Sequence, residues 1–243
     1  MRPSCPDLAL YLVTDTALLG RRGLASSVRA AVDGGVTTVQ LRDPHATDHE
    51  LVALGVVLRE ALLGSGVPLI VNDRVDLVRE IGAAGAHIGQ GDLPVEEARR
   101  RLGPEAYLGL SCTTVEQVRA ATALGPGTVD YLGLGPVWPT ASKPDHAAPL
   151  GLDGVRELAE AAGVVPTVAI GGITRERAAG VAETPVDGLA VVSAICAAAD
   201  PRAAATGLRT TWAAVRGCPG SSPPGDAAPA SPAGPAHAAG RYR

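Results

Sequence analysis

Residues 69–92 read Leu-Ile-Val-Asn-Asp-Arg-Val-Asp-Leu-Val-Arg-Glu-Ile-Gly-Ala-Ala-Gly-Ala-His-Ile-Gly-Gln-Gly-Asp. Two short apolar runs, Leu69–Val71 and Ala86–Ile88, pass directly into polar residues: Asn72, Asp73 and Arg74 after the first, Gln90 and Asp92 after the second. A few consecutive apolar residues without alternation mark a strand covered on both faces. The pattern recurs on either side, at Ala9–Thr14, Thr38–Leu41, Tyr107–Leu110, Tyr131–Leu134, Thr167–Ile170 and Gly188–Val192. Segments with helical spacing lie between these runs, among them Leu51–Leu63, Val95–Leu102, Val115–Leu124 and Leu152–Ala162. Asp92-Leu93-Pro94 reads as a helix start with an acid and a first-turn proline; Thr174 precedes another helix, with Glu176 in its first turn.

Eight strands alternating with helices over residues 8–215 place the chain in the α/β class as a (β/α)₈ TIM barrel. The rival is an open doubly wound sheet. Against it, no GxGxxG follows the first strand, and the turn from Thr14 to Gly23 lacks a glycine fingerprint.

The 243 residues are 46% hydrophobic and 19% charged, enough apolar material for a packed core and too little charge for a disordered chain. There is no Phe and aromatics total 2%, so the core is aliphatic and stacking platforms for single-stranded nucleic acid are excluded. A net charge of -4 argues against nucleic acid as a partner. The four cysteines, Cys5, Cys112, Cys196 and Cys218, show no zinc spacing and read as free thiols. Met1–Pro6 lacks the apolar stretch of a signal peptide, and runs such as Leu8–Val13 are far short of the roughly 18 residues of a membrane helix. A cytoplasmic protein without membrane partners is expected. From Gly217 to Arg243 the chain is Pro, Gly, Ala and Ser with almost no large apolar residue, so a barrel domain over 1–216 and a disordered tail over 217–243 are expected.

In a barrel, function collects at the C-terminal ends of the strands. There the sequence places Gln40 and Arg42, then Asn72, Asp73 and Arg74, Gln90 and Asp92, Ser111, Thr113 and Thr114, the stretch Pro136–Lys143, Gly171-Gly172, and Ser193. Asp73 and Asp92 end neighbouring strands. Mg²⁺ is commonly held by one or two carboxylates, with water and phosphate oxygens filling the other positions. The competing reading pairs Asp73 with Arg74 or Arg42 and makes Asp92 a helix N-cap. Arg42 and Lys143 are the cations best placed in the same mouth, one able to grip phosphate bidentately and the other a mobile point charge. Gly171-Gly172-Ile173-Thr174 together with Ser193 form a phosphate cup of backbone N–H groups. Two anion sites in one mouth imply two phosphorylated substrates, or one long one. No Ser-His-Asp or Cys-His nucleophile stands out, and His87, inside the fourth strand, reads as packed or hydrogen-bonded.

The segments Tyr11-Leu-Val-Thr-Asp15, Val39-Gln-Leu-Arg-Asp43, Ile70-Val-Asn-Asp-Arg-Val-Asp-Leu77 and His87-Ile-Gly-Gln-Gly-Asp-Leu-Pro94 come in an order that resembles the thiamine phosphate synthase family. So do Leu132-Gly-Leu-Gly-Pro-Val-Trp-Pro-Thr140 with Lys143, Ala169-Ile-Gly-Gly-Ile173 and Val191-Val-Ser-Ala-Ile195. The resemblance covers residues 8–215 and implies a barrel that joins a pyrimidine diphosphate to a thiazole phosphate, with Mg²⁺ required. It implies Asp73 and Asp92 as metal ligands. Gln40, Leu41, Arg42, Asp43, Pro44, Asn72, Ser111 and Lys143 would bind the pyrimidine diphosphate, and Thr140, Ala141, Ser142, Gly172, Val192 and Ser193 the thiazole phosphate. Arg42, Lys143 and Ser111 would be the catalytic groups, and a homo-oligomer is compatible with the family. Three positions depart from its pattern: Pro44 where Lys is usual, Thr113 where His is common, and Ser142 for Thr. Two rivals remain, a thiazole tautomerase of the same superfamily and a phosphometabolite-binding barrel without turnover. Asp73, Asp92 and Lys143 speak against the tautomerase, which has no diphosphate to expel.

Overall fold

The computed structural model describes residues 5–19, 23–142 and 147–217. The eight strands are β1 (Leu10–Val13), β2 (Thr38–Leu41), β3 (Leu69–Asn72), β4 (Gly85–Ile88), β5 (Tyr107–Cys112), β6 (Tyr131–Leu134), β7 (Thr167–Ile170) and β8 (Gly188–Val191). All neighbours are parallel and the order is sequential, with β8 closing on β1 through Leu10 opposite Leu189 and Leu12 opposite Val191. The helices are α1 (Thr16–Leu19), α2 (Leu24–Asp33), α3 (Asp48–Ala61), α4 (Val78–Ile81), α5 (Val95–Leu102), α6 (Val115–Ala123), α7 (Gly151–Ala162), α8 (Arg175–Ala182), α9 (Ser193–Cys196) and α10 (Pro201–Arg216). The chain is therefore a TIM barrel.

Side chains alternate along each strand, which gives the barrel two cores. Leu10, Leu12, Val39, Leu41, Val71, Ile88, Leu108 and Leu132 point outward and are buried against the helices. Tyr11, Val13, Ile70, Tyr107, Tyr131, Val168 and Ala190 fill the inside. Where the interior narrows, glycine stands in the strands. A Cβ on Gly85 would run into the Tyr107 backbone, and one on Gly109 into the Tyr131 ring and the His87 imidazole. Glycine inside a strand costs conformational entropy, so its presence here marks a close approach.

Three boundaries differ from the sequence reading. Helix α3 starts at Asp48 because Thr47 and Glu50 form a reciprocal capping box, upstream of the first apolar position of its stripe. Pro94 is the residue before α5, outside its first turn, and Asp92 makes no cap to that helix. Strand β5 runs on through Ser111 and Cys112, because Ser111 still pairs with Gly133 of β6. Helix α10 packs on α2 and α8 and ends at Gly217, whose positive φ of 65° lets its N–H reach the Ala213 carbonyl at 3.1 Å. The expected tail beyond it, residues 218–243, lies outside the described residues. Among those described, no helix is long and apolar enough to cross a membrane, and Cys5, Cys112 and Cys196 are free thiols.

Candidate active site

A cavity of about 390 Å³ opens at the C-terminal ends of the strands, within the usual range for small-molecule sites. Of the residues expected from sequence, Gln40, Arg42, Asn72, Ser111, Thr140, Ser142, Gly172, Val192 and Ser193 line it. These come from β2, β3, β5, β7 and β8, or the loops that follow them and β6, so side chains far apart in sequence converge on one space.

Arg42 leaves β2 with its backbone N–H bonded to the Thr14 hydroxyl at 3.0 Å. Its guanidinium donates to the Ser142 carbonyl at 3.3 Å, so the loops after β2 and β6 meet across the mouth. The contact spends one N–H and leaves the rest of the guanidinium fork for a ligand. Lys143, the next residue along, lies outside the described residues. The side chains of Leu41 and Asp43 point elsewhere. Leu41 is fully buried against the helices. Asp43 accepts from the Thr16 hydroxyl at 2.5 Å and from the amides of His45 and Ala46 at 3.0 and 3.2 Å. Burial alone would raise its carboxyl, but those hydrogen bonds outweigh it and hold the group below the ordinary carboxylate range. Pro44 and Ala141 are exposed on the rim.

Asp73 and Asp92 stand on adjoining turns at the same end of the barrel, both exposed. The Asp73 N–H donates to the His87 carbonyl at 2.8 Å, which ties the turn after β3 to β4. Asp73 has φ 59°, a left-handed conformation that Asp adopts more readily than most residues. The neighbouring Arg74 reaches Asp48 at 3.0 Å and the Ala46 carbonyl. Asp92 accepts the Gly89 N–H on Oδ2 at 2.7 Å, a bond within its own turn. Neither carboxylate lines the cavity, but their chain neighbours Asn72 and Gly91 do, which puts both acids beside its rim, where hard oxygen ligands of this kind could share a solvated divalent ion. Among the described residues no group of three or more His, Cys, Asp or Glu could hold a metal.

The other end of the cavity is shaped by glycine. Gly171 and Gly172 have φ 106° and 64°. A Cβ on Gly171 would meet Pro136 at 2.5 Å, and one on Gly172 would meet Trp138 Cβ at 2.8 Å. The Trp138 N–H donates to the Gly171 carbonyl at 3.1 Å, so the loop after β6 is laid against the loop after β7. The two glycines are thus required by backbone conformation and by that loop, in addition to any need for phosphate to approach the amides. Arg177 of α8 donates to the Gly172 carbonyl at 2.7 Å and lies over the Trp138 ring at 4.9 Å, which holds the same corner from outside. Val192 and Ser193 face this corner from the start of α9.

Sequence reasoning missed Tyr11 and the cavity-lining role of His87. Both sit within apolar runs, and only their inward register would have flagged them. Cys112 and Cys196 are poor nucleophiles: burial pushes Cys112 up to about 12, and Cys196, for the same reason first, up to about 11.

A family model described as thiamine monophosphate synthase matches residues 10–195. The chain is 52% identical over 202 residues to the thiamine-phosphate synthase of Psychrobacter sp. (strain PRwf-1), spanning 83% of this chain and 94% of that protein. It is 47% identical over 208 residues to the thiamine-phosphate synthase of Albidiferax ferrireducens, spanning 86% and 93%. The solved thiamine phosphate pyrophosphorylase from Pyrococcus furiosus superposes with a TM-score of 0.77 at 36% identity, covering 86% of this chain and 98% of that one. With an eight-stranded parallel barrel and a cavity at its C-terminal mouth, the chain belongs to the thiamine monophosphate synthase family.

Proposed function

We propose that the protein joins 4-amino-2-methyl-5-pyrimidinylmethyl diphosphate to 4-methyl-5-(2-phosphoethyl)thiazole, or its carboxylated form, to give thiamine phosphate and pyrophosphate in the cytoplasm. What carries the reading is that Gln40, Arg42, Asn72, Ser111, Gly172 and Ser193 converge from five strands on one cavity in a chain of this family.

Asp73 and Asp92 would hold Mg²⁺, which when bound supplies charge neutralisation to the diphosphate oxygens. Arg42, braced on the Ser142 carbonyl, adds a fixed cation from the protein, and Lys143 a second. Asn72 and Ser111 offer an amide and a hydroxyl to the same substrate. The amides of Gly172, Val192 and Ser193 would cradle the phosphate of the thiazole at the opposite end. With both substrates held in line, the C–O bond to the diphosphate breaks and pyrophosphate leaves with the electron pair. The electron-rich aminopyrimidine carries the positive charge on its methylene, and the thiazole nitrogen forms the new C–N bond. The protein's work is positioning and electrostatics, so no covalent nucleophile is needed.

The test is incubation of the purified full chain with both substrates and Mg²⁺, with thiamine phosphate measured by chromatography. Product that forms with Mg²⁺, stops with EDTA and resumes when Mg²⁺ is restored is the expected result. Proton exchange on the thiazole alone, or substrate binding without turnover, overturns the reading.

A further inference from the structure

A chain of polar side chains crosses the barrel interior just beneath the cavity. The Gln40 Nε2 donates to the Tyr11 hydroxyl at 2.9 Å, and the Tyr11 and Tyr131 hydroxyls lie 2.8 Å apart. Tyr131 meets His87 Nδ1 at 3.2 Å, and His87 Nε2 meets the Ser111 hydroxyl at 2.9 Å. Five strands thus contribute one link each, and the two ends, Gln40 and Ser111, are both cavity-lining residues.

The link directions are not independent. The Tyr11 oxygen accepts from Gln40; either phenol can donate in the Tyr11–Tyr131 contact, but donation from Tyr11 to Tyr131 is the choice that leaves no phenol proton in the chain without an acceptor. The Tyr131 proton then goes to His87 Nδ1, which leaves the imidazole proton on Nε2 to be donated to Ser111. Ser111 has accepted there, and its own proton is turned toward the cavity. Burial pushes both phenols far above their ordinary range, so each keeps the proton it passes on. The reverse polarity would require the Gln40 amide to turn over and would point the Ser111 lone pairs at the ligand, a poor choice in a mouth that also presents Arg42.

The surroundings are built for this chain. In a protein with no Phe, two of its four tyrosines lie fully buried in the interior, where a bare hydroxyl would cost about 1–3 kcal/mol without a partner. Gly109 and Gly133 make the room, for a Cβ at either would press on His87.

We propose that Tyr11, Tyr131 and His87 are positioning residues that polarise Ser111, so that its hydroxyl is presented to the cavity as a donor for an acceptor atom of the ligand, a phosphoryl oxygen or a ring nitrogen. The proposal rests on the function assigned above only for its activity readout. The first test is ¹⁵N NMR of the histidines, with His87 assigned by comparison with His87→Gln. The expected form carries its proton on Nε2 with Nδ1 bare; any form with a proton on Nδ1 overturns the proposal, whether or not thiamine phosphate is made. The second test is a double-mutant cycle. Tyr131→Phe should lower kcat/KM about tenfold, and should add nothing to the loss caused by Ser111→Ala, because its effect runs through that hydroxyl. Additive losses, which a merely structural role produces, would overturn it. Tyr11→Phe serves in the same cycle should Tyr131→Phe fail to fold. An inactive wild type refutes the synthase reading instead, and the NMR result alone then decides the relay.

Discussion

The two ends of the barrel handle charge in opposite ways. At the N-terminal end, Asp130 precedes β6 and accepts from Arg99 at 2.7 Å and from the Leu108 N–H at 2.7 Å. Arg99 spends its other donors on the carbonyls of Gly103, Ala106 and Thr128 at 2.8, 2.7 and 3.1 Å. Asp187, before β8, accepts the Thr167 N–H at 2.8 Å. At the C-terminal end, among the described residues, neither Arg42 nor Asp92 enters an ion pair: each is held by backbone alone, through the Ser142 carbonyl and the Gly89 amide. Arg99 and Asp130 neutralise each other at the closed end, whereas Arg42 and Asp92, among the described residues, are left unneutralised at the open end. Arg42 and Asp92 are thus oriented yet keep donor and acceptor capacity for a ligand, on the face where this architecture carries its chemistry.

Substitutions can break that contrast. The largest effect is expected from Asp92→Ala, which should lower kcat/KM for Mg²⁺-dependent synthesis more than a hundredfold, about 3 kcal/mol of transition-state stabilisation, with the melting temperature little changed. Steady-state kinetics with calorimetry on the same sample checks both halves. At the other end the pattern should invert. Arg99→Met strands the buried Asp130 carboxylate and should cost about 3–5 kcal/mol of stability, a drop of roughly 10 °C in melting temperature, while the kcat of the protein that remains folded is kept. Gly109→Ala, between the two ends, should cost about 1–3 kcal/mol by overpacking the interior and should lower activity as well, because its Cβ pushes on both Tyr131 and His87. Thr47→Ala removes half of the α3 capping box and should cost about 1 kcal/mol in chemical denaturation, with kinetics unaltered.

The smallest expected effect is on acid stability. The Asp43 carboxyl is depressed in the fold, so its contribution is complete at neutral pH and is lost as pH falls from about 4 through the lower folded value. Asp43→Asn should flatten that part of the acid-denaturation curve and leave the neutral region unchanged in slope.

Much of the site could be read in advance because a barrel converts sequence position into spatial position: the residue after each apolar run is delivered to one rim. That rule located Arg42, Asn72, Ser111 and Gly172 without any contact being known. It worked to the residue for β2, β6 and β7, where the apolar run ends at a polar or glycine residue, and stopped short at β5, where a serine still belongs to the sheet. It could not distinguish Asp92 as a helix cap from Asp92 as a rim carboxylate, since that depends on where α5 begins. Contacts that join distant segments left no trace in local pattern. Tyr11 and Tyr131 lie 120 positions apart, and Arg99 and Asp130 are 31 apart. Side-chain partners at such separations are fixed by barrel register, which periodicity does not specify.

The glycines at 109 and 133 also decide how deep a ligand can go. By giving up their own side-chain volume they let a tyrosine and a histidine reach the barrel axis and form a floor. A floor of rings is held by directional hydrogen bonds as well as by packing, which an aliphatic floor would lack. A substrate with a longer group pointing downward would have to break that hydrogen-bonded layer before it could sit, and the barrel is thereby a gauge of molecular length as well as a scaffold for charge.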